Sequence, residues 1–213
     1  MRKRFKIPLF GLIAVALIVI AALVLLYKSH IPENWVNRYM AKKIAAEYNC
    51  DVTISEIEGS FIGGFILSDI HVRFIQDGDT VTLAHLPRVS ISYNFSDLWH
   101  RRWIINSLHF EKPRLYLKKD LSGNWVLPRV SGASAAGNRA PSWEIKKLVV
   151  DSASFNLVLG EKEWHWFGID LLASARSEEG TYTLNLDTLR FNSNDSRLRV
   201  NNGSGMATLF GKN

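Results

Sequence analysis

The chain has 213 residues, 47% of them hydrophobic and 11% aromatic, which excludes a disordered tail. Its net charge is +6, but Arg2, Lys3, Arg4 and Lys6 carry four of those charges. Residues 7–213 hold only +2, so the basic balance does not mark a nucleic-acid binder. Cys50 is the single cysteine, and no internal disulfide framework can form.

Ile7 to Tyr27 is a run of 21 residues without a charge, 14 of them Leu, Ile, Val or Phe. As a helix it spans roughly 32 Å, close to the ~30 Å hydrocarbon core of a bilayer. Leu12, Ile18, Leu23 and Leu26 are among its anchoring side chains, each favouring insertion by about 0.3–0.6 kcal/mol. Pro8 falls in the first turn, where its missing N–H costs little. The basic stub at 1–6 predicts a cytoplasmic N-terminus and a body on the far side. A cleaved signal peptide is the competing reading. The run is longer than a signal core, however, and ends Leu25-Leu26-Tyr27-Lys28 without a small-x-small site. A buried core helix would show a polar stripe, and this run has none.

Residues 28–50 are expected to hold an amphipathic helix. Between Ile31 and Tyr48, Val36, Met40, Ile44 and Tyr48 recur every four residues, while Glu33, Arg38, Lys42, Lys43 and Glu47 lie elsewhere. Its apolar stripe can cap a β domain, and Trp35 and Tyr39 can sit at the membrane interface; the two roles are compatible.

From Asp51 the period drops to two. Ile70, Val72 and Phe74 alternate with polar residues, Gln76-Asp77-Gly78-Asp79 reads as a turn, and Val81 and Leu83 open the next strand. Val89, Ile91 and Tyr93 share a face opposite Ser90 and Ser92, and Phe95 to His100 reads as a helical turn. Strands are predicted at about 103–110 and 114–118, then a turn at Asp120-Leu121-Ser122-Gly123. Further strands follow at about 144–150, 154–159, 166–175, 181–191 and 197–200, with a turn at Glu178-Glu179-Gly180. The first β region is expected over 51–128 and the second over 143–213, separated by a flexible loop of small and polar residues at 129–142. Ile105 and Leu108 break strict alternation and predict a bulge or phase change.

An internal repeat has an offset of 40. Trp103, Ile105, Leu108, Phe110, Leu115 and Leu117 match Trp143, Ile145, Leu148, Val150, Phe155 and Leu157 in chemical type. A weaker third copy starts at Leu189 and Phe191. Self-similarity at a fixed period predicts one supersecondary unit added repeatedly; the alternative is chance agreement between two amphipathic hairpins.

The chain carries no catalytic constellation. His30, His71, His85, His100, His109 and His165 form no His-x-x-x-His pair or Cys/His cluster, so no metal site is expected. Gly59, Gly63 and Gly64 lack the lysine of a phosphate loop and fit a turn or a bulge that bends a sheet. Asp69 reads as a solvated strand residue. Neither enzyme activity nor a cofactor is predicted. One-sided apolar strands dominate: Phe155, Leu157 and Leu159 share a face, as do Tyr182, Leu184 and Leu186. Such a face must be covered, by a second layer, by the 31–48 helix, or by lipid.

The order of features adds a resemblance. A basic stub, an anchor and an amphipathic helix lead into Glu58-Gly59-Ser60-Phe61-Ile62-Gly63-Gly64. Ile105-x-x-Leu108, Pro113-Arg114-Leu115-x-Leu117 and Asp120-x-x-Gly123-x-Trp125 follow. This resembles the N-terminal region of TamB-like proteins of the AsmA-like superfamily, over most of 1–175. The resemblance implies an inner-membrane protein of a diderm bacterium with a periplasmic body. It also implies a curved, open, repeat-built β-sheet whose apolar inner face forms a groove for phospholipid, and an outer-membrane Omp85-type barrel as partner. The expected groove residues are Ile91, Tyr93, Leu115, Leu117, Phe155, Leu157, Leu184 and Leu186. Family members are usually far longer, so 213 residues are expected to be the N-terminal piece of a longer chain. Two other readings stand beside the conduit: a scaffold that offers a sheet edge to its partner, and an anchored β domain with an ordinary packed core.

Overall fold

The structure, a computed structural model, describes residues 50–60, 63–76, 79–100, 102–119, 142–178, 181–195 and 200–210. The expected anchor, with Leu12, Ile18, Leu23 and Leu26, lies outside these residues. So do the amphipathic helix, the Asp120–Gly123 turn and nearly all of the 129–142 loop. Among the described residues no helix is long and apolar enough to cross a membrane.

The described chain is one mixed sheet of nine strands. These are β1 (Cys50–Ser60), β2 (Gly64–Gln76), β3 (Asp79–Tyr93), β4 (Trp103–Glu111), β5 (Arg114–Lys119), β6 (Trp143–Leu159), β7 (Lys162–Glu178), β8 (Thr181–Ser193) and β9 (Val200–Phe210). The expected helical turn is α1 (Phe95–Trp99), capped by the Asn94 side chain, which accepts from the Ser96 N–H. The order is β1-β2-β3-β4-β6-β7-β8-β9, with β5 between β3 and β6. At about 4.8 Å per strand the sheet runs roughly 34 Å across.

All neighbours are antiparallel except where β4 and β5 lie parallel to β6. Those parallel ladders are the internal repeat made physical. Trp103 pairs with Trp143, Ile105 with Ile145, Leu108 with Leu148, Phe110 with Val150, Leu115 with Phe155 and Leu117 with Leu157. Every pair in both ladders has the same offset of 40, so the two copies stack side by side in register. The weaker third copy does not join this ladder: β8, which carries Leu189 and Phe191, pairs antiparallel with β7 and β9.

The sequence predicts two strands at 144–150 and 154–159; the structure joins them into one β6 of 17 residues. Its first-copy counterpart is divided into β4 and β5 because Pro113 has no N–H to give the ladder. Even so, the Lys112 N–H donates to the Asp151 carbonyl at 2.8 Å, and the Ser154 N–H to the Pro113 carbonyl at 2.9 Å. The break is therefore still stitched to β6.

Period two alone would turn the apolar face over wherever a strand skips a residue. Leu67 and Ile70, Leu86 and Val89, and Val150 and Ala153 are all buried although three residues apart. Asp69, Lys112, Ser152 and Gly168 have φ of 53°, 49°, 53° and 57° and mark the matching points on β2, β4–β5, β6 and β7. A left-handed residue rotates the chain by the extra step, and the apolar side chains stay on one face. The bulge expected from Ile105 and Leu108 is also present: Tyr93 pairs with Ile105 but Ser92 with Ser107, and β6 shifts register between Ile145 and Leu148.

Cys50 opens β1 at 1% exposure, and burial pushes its thiol up to about 11. Raised from 9.0, the thiol forms about a hundredfold less thiolate at a given alkaline pH below both values. Native protein is expected to react with a neutral thiol reagent at pH 8 at least that much more slowly than protein in urea. Equal rates would show that the thiol is not buried.

Candidate functional site

Cross-strand partners project from the same face, so the registers define rows of side chains. Ile57, Leu67, Val89, Phe110, Val150, Leu171 and Leu189 form one row across seven strands. Phe65, Ile91, Leu108, Leu148, Ala173 and Leu186 form the next, and Tyr93, Ile105, Ile145, Ala175 and Leu184 the one beyond. Past the line of left-handed residues, Val72, Ala84, Leu115, Phe155 and Trp166 make a row, then Leu117, Leu157 and Trp164.

All eight expected groove residues therefore lie on a single face, spread over four rows. They are not equally covered. Ile91 is 3% and Leu157 8% exposed, whereas Tyr93, Leu115, Leu117, Phe155, Leu184 and Leu186 are half-buried. Burial is deepest over β2, β3, β4 and β6 and is lower toward both edges of the sheet: Leu108 is fully buried, while Ile57 on β1 and Leu186 on β8 are only partly so. Among the described side chains of β8 and β9 none is buried.

Aromatic rings cluster on this face near the β6–β7 turn. Phe155 stacks on Trp166 at 5.3 Å, and Trp164 meets Trp166 edge-on at 6.1 Å. Trp164 is 37% exposed. At the opposite end of the strands Trp143 packs against Tyr182 at 6.5 Å. Burial holds the Tyr93 phenol above its ordinary range.

The other face is polar and ion-paired. Arg73 donates to Asp51 at 2.9 Å, Arg88 meets Glu111 at 3.5 Å, and His109 bonds Asp151 at 2.6 Å. Asp69 is the most connected group on it. Its Oδ1 lies 2.8 Å from His85 Nε2 and 3.1 Å from His71 Nε2, and its Oδ2 accepts from Ser55 Oγ at 3.0 Å. The two imidazoles stack at 4.3 Å. The bonds from His85 and then Ser55 hold the Asp69 carboxyl below the usual carboxylate range.

Asp69 is exposed, as the sequence predicts, but it is also the left-handed residue of β2 and the hub of three partners. Sequence spacing hid the hub because its members come from β1, β2 and β3. Gly63 is a turn residue, and Gly59 and Gly64 have φ of 117° and 126° where β1 and β2 meet, in a register without a bulge.

Comparison of the chain with protein-family models, with curated proteins and with solved structures finds no match.

Proposed function

We propose that this chain is an inner-membrane-anchored periplasmic protein of the AsmA/TamB type. In this reading it conducts phospholipid along a hydrophobic β groove, or aids outer-membrane protein assembly, in outer-membrane biogenesis. The observation that carries the reading is the set of unbroken apolar rows. A row that crosses seven strands without a polar residue presents one continuous apolar track perpendicular to the strands. The left-handed residues on β2, β6 and β7 and between β4 and β5 support it further, because they keep that track on one side through the change of phase there. A packed core alone needs apolar residues on one face. It does not need those residues aligned in rows that continue past the buried strands to half-buried side chains such as Leu186. A continuous apolar track of this kind suits an acyl chain that moves along it.

A second reading, a scaffold that binds an outer-membrane barrel by strand addition, draws on a different observation. β9 is the last strand of the order and carries neither a charge nor a proline. Those are the usual devices that block pairing at an edge.

One experiment separates the two. A photo-crosslinking amino acid is placed in cells at Leu117, Leu184 or Leu186, with Asn185 on the polar face as control and Ile18 as the membrane reference. The conduit reading expects lipid adducts at all three apolar positions and none at Asn185. Lipid capture at Ile18 alone would sink it. Protein adducts from Met206 on β9, lost in a variant with proline at that strand's centre, would favour the scaffold.

A further inference from the structure

His71 and His85 are direct cross-strand partners on β2 and β3, and both aim Nε2 at one oxygen of Asp69. We propose that Asp69, His71 and His85 form a binding site for a divalent transition-metal cation of the Zn²⁺ or Cu²⁺ kind on the polar face of the sheet. The proposal is independent of the lipid reading.

Three observations carry it. The three donor atoms all lie within 4.8 Å of one another. Ligands around a tetrahedral zinc with bonds of about 2.0–2.1 Å sit roughly 3.3 Å apart. The two measured separations, 2.8 and 3.1 Å, are within about half an ångström of that value. Second, the donor set is chemically selective. Two imidazoles and a carboxylate suit zinc, copper or nickel, whereas calcium and magnesium take oxygen ligands. Third, the carboxylate is held from behind. Ser55 Oγ donates to Oδ2 and leaves Oδ1 facing the two rings, which is how a supporting hydrogen bond fixes a metal ligand.

The side chains of Asp69, His71 and His85 are 51%, 37% and 23% exposed, so a cation would keep one or more waters beside its three protein ligands. Without a metal, the carboxylate can only accept, so each Nε2 carries the proton that points at Oδ1. Metal binding places a lone pair there instead, and the proton of each neutral ring moves to Nδ1. The rings are 13° from parallel, and a cation cannot lie in both ring planes while they stack. Binding must therefore turn the rings and break the stack. Arg114, the register partner of His85 on β5, is exposed.

The test uses the untagged full chain in detergent, stripped with a chelator and titrated with ZnCl₂. One saturable Zn²⁺ per chain is expected, weakened at least about tenfold in Asp69→Asn and His85→Ala and unchanged in His109→Ala. Histidine ring resonances of the unmutated chain provide a second readout that does not depend on variants folding. Substoichiometric Cu²⁺ should broaden His71 and His85 first, and Zn²⁺ should shift both. No saturable binding, or binding that Asp69→Asn and His85→Ala leave intact, overturns the proposal, as does Cu²⁺ broadening centred on other histidines.

Discussion

Gly64→Ala is expected to destabilise the sheet by about 3 kcal/mol or more, while Gly63→Ala leaves stability within about 0.5 kcal/mol. Gly64 has φ of 126°, where an L side chain is strained, and a Cβ there would stand 2.1 Å from the Ile91 carbonyl oxygen and 3.0 Å from Ser92 Cα. Those obstacles are backbone atoms of β3 held in the β2–β3 ladder, so neither can swing aside as a side chain would. A Cβ on Gly63 meets nothing within 4 Å. Gly59 repeats the constraint one strand over, since its Cβ would fall 2.3 Å from the Gly64 carbonyl oxygen. Urea unfolding followed by tryptophan fluorescence measures the difference as a shift in midpoint at constant slope. Equal midpoints for the two variants would mean that the three backbones do not converge there.

Leu108→Ala is expected to cost about 2–5 kcal/mol, and Leu186→Ala about 1 kcal/mol. Both are leucines of one row on one face. Leu108 is 0% exposed between Ile91 and Leu148, and its truncation leaves a cavity that a paired sheet cannot close. Leu186 is half-buried, and removing it takes away partial burial without enclosing a void. The contrast bears on function as well as stability. If Leu186→Ala proved as costly as Leu108→Ala, the apolar face would be covered evenly across the sheet. The half-buried apolar surface on β8 that the lipid reading draws on would then be absent.

That Leu115, Leu117, Phe155, Leu157, Leu184 and Leu186 share one face was legible because alternation is a local property. Leu115 and Leu117, Phe155 and Leu157, and Leu184 and Leu186 each sit two apart on uninterrupted stretches, and each pair lands on the apolar face. The repeat was legible for the same reason, but its meaning was not. An offset of 40 between Trp103 and Trp143 shows that two units are alike, not that they lie parallel and adjacent. The metal-binding candidates were not legible at all. The turn at Gln76–Asp79 pairs those two residues, and that register carried up the hairpin sets His71 opposite Ala84, with His85 on the other face. A one-residue shift between Val72 and Arg73 brings His71 opposite His85 instead.

By itself, then, the sequence determined the class of structure, the rough limits of several strands and which side chains are apolar on each, but not that 144–150 and 154–159 are one strand or that the last strand runs from Val200 to Phe210 instead of over 197–200. What it determined depends on period two, on turn chemistry at a few residues and on the left-handed tolerance of glycine, all of which act over short stretches of chain. Only the tertiary structure decided which strands are neighbours, that β4 and β5 together face β6, and where a ladder slips by one. A slip costs little locally, yet it decides which face every later side chain occupies. The apolar face stays on one side only if neighbouring strands change phase at the same level, as the left-handed Asp69, Lys112, Ser152 and Gly168 do. The continuous apolar rows and the Asp69 hub both depend on that agreement between strands, which single-strand periodicity does not contain.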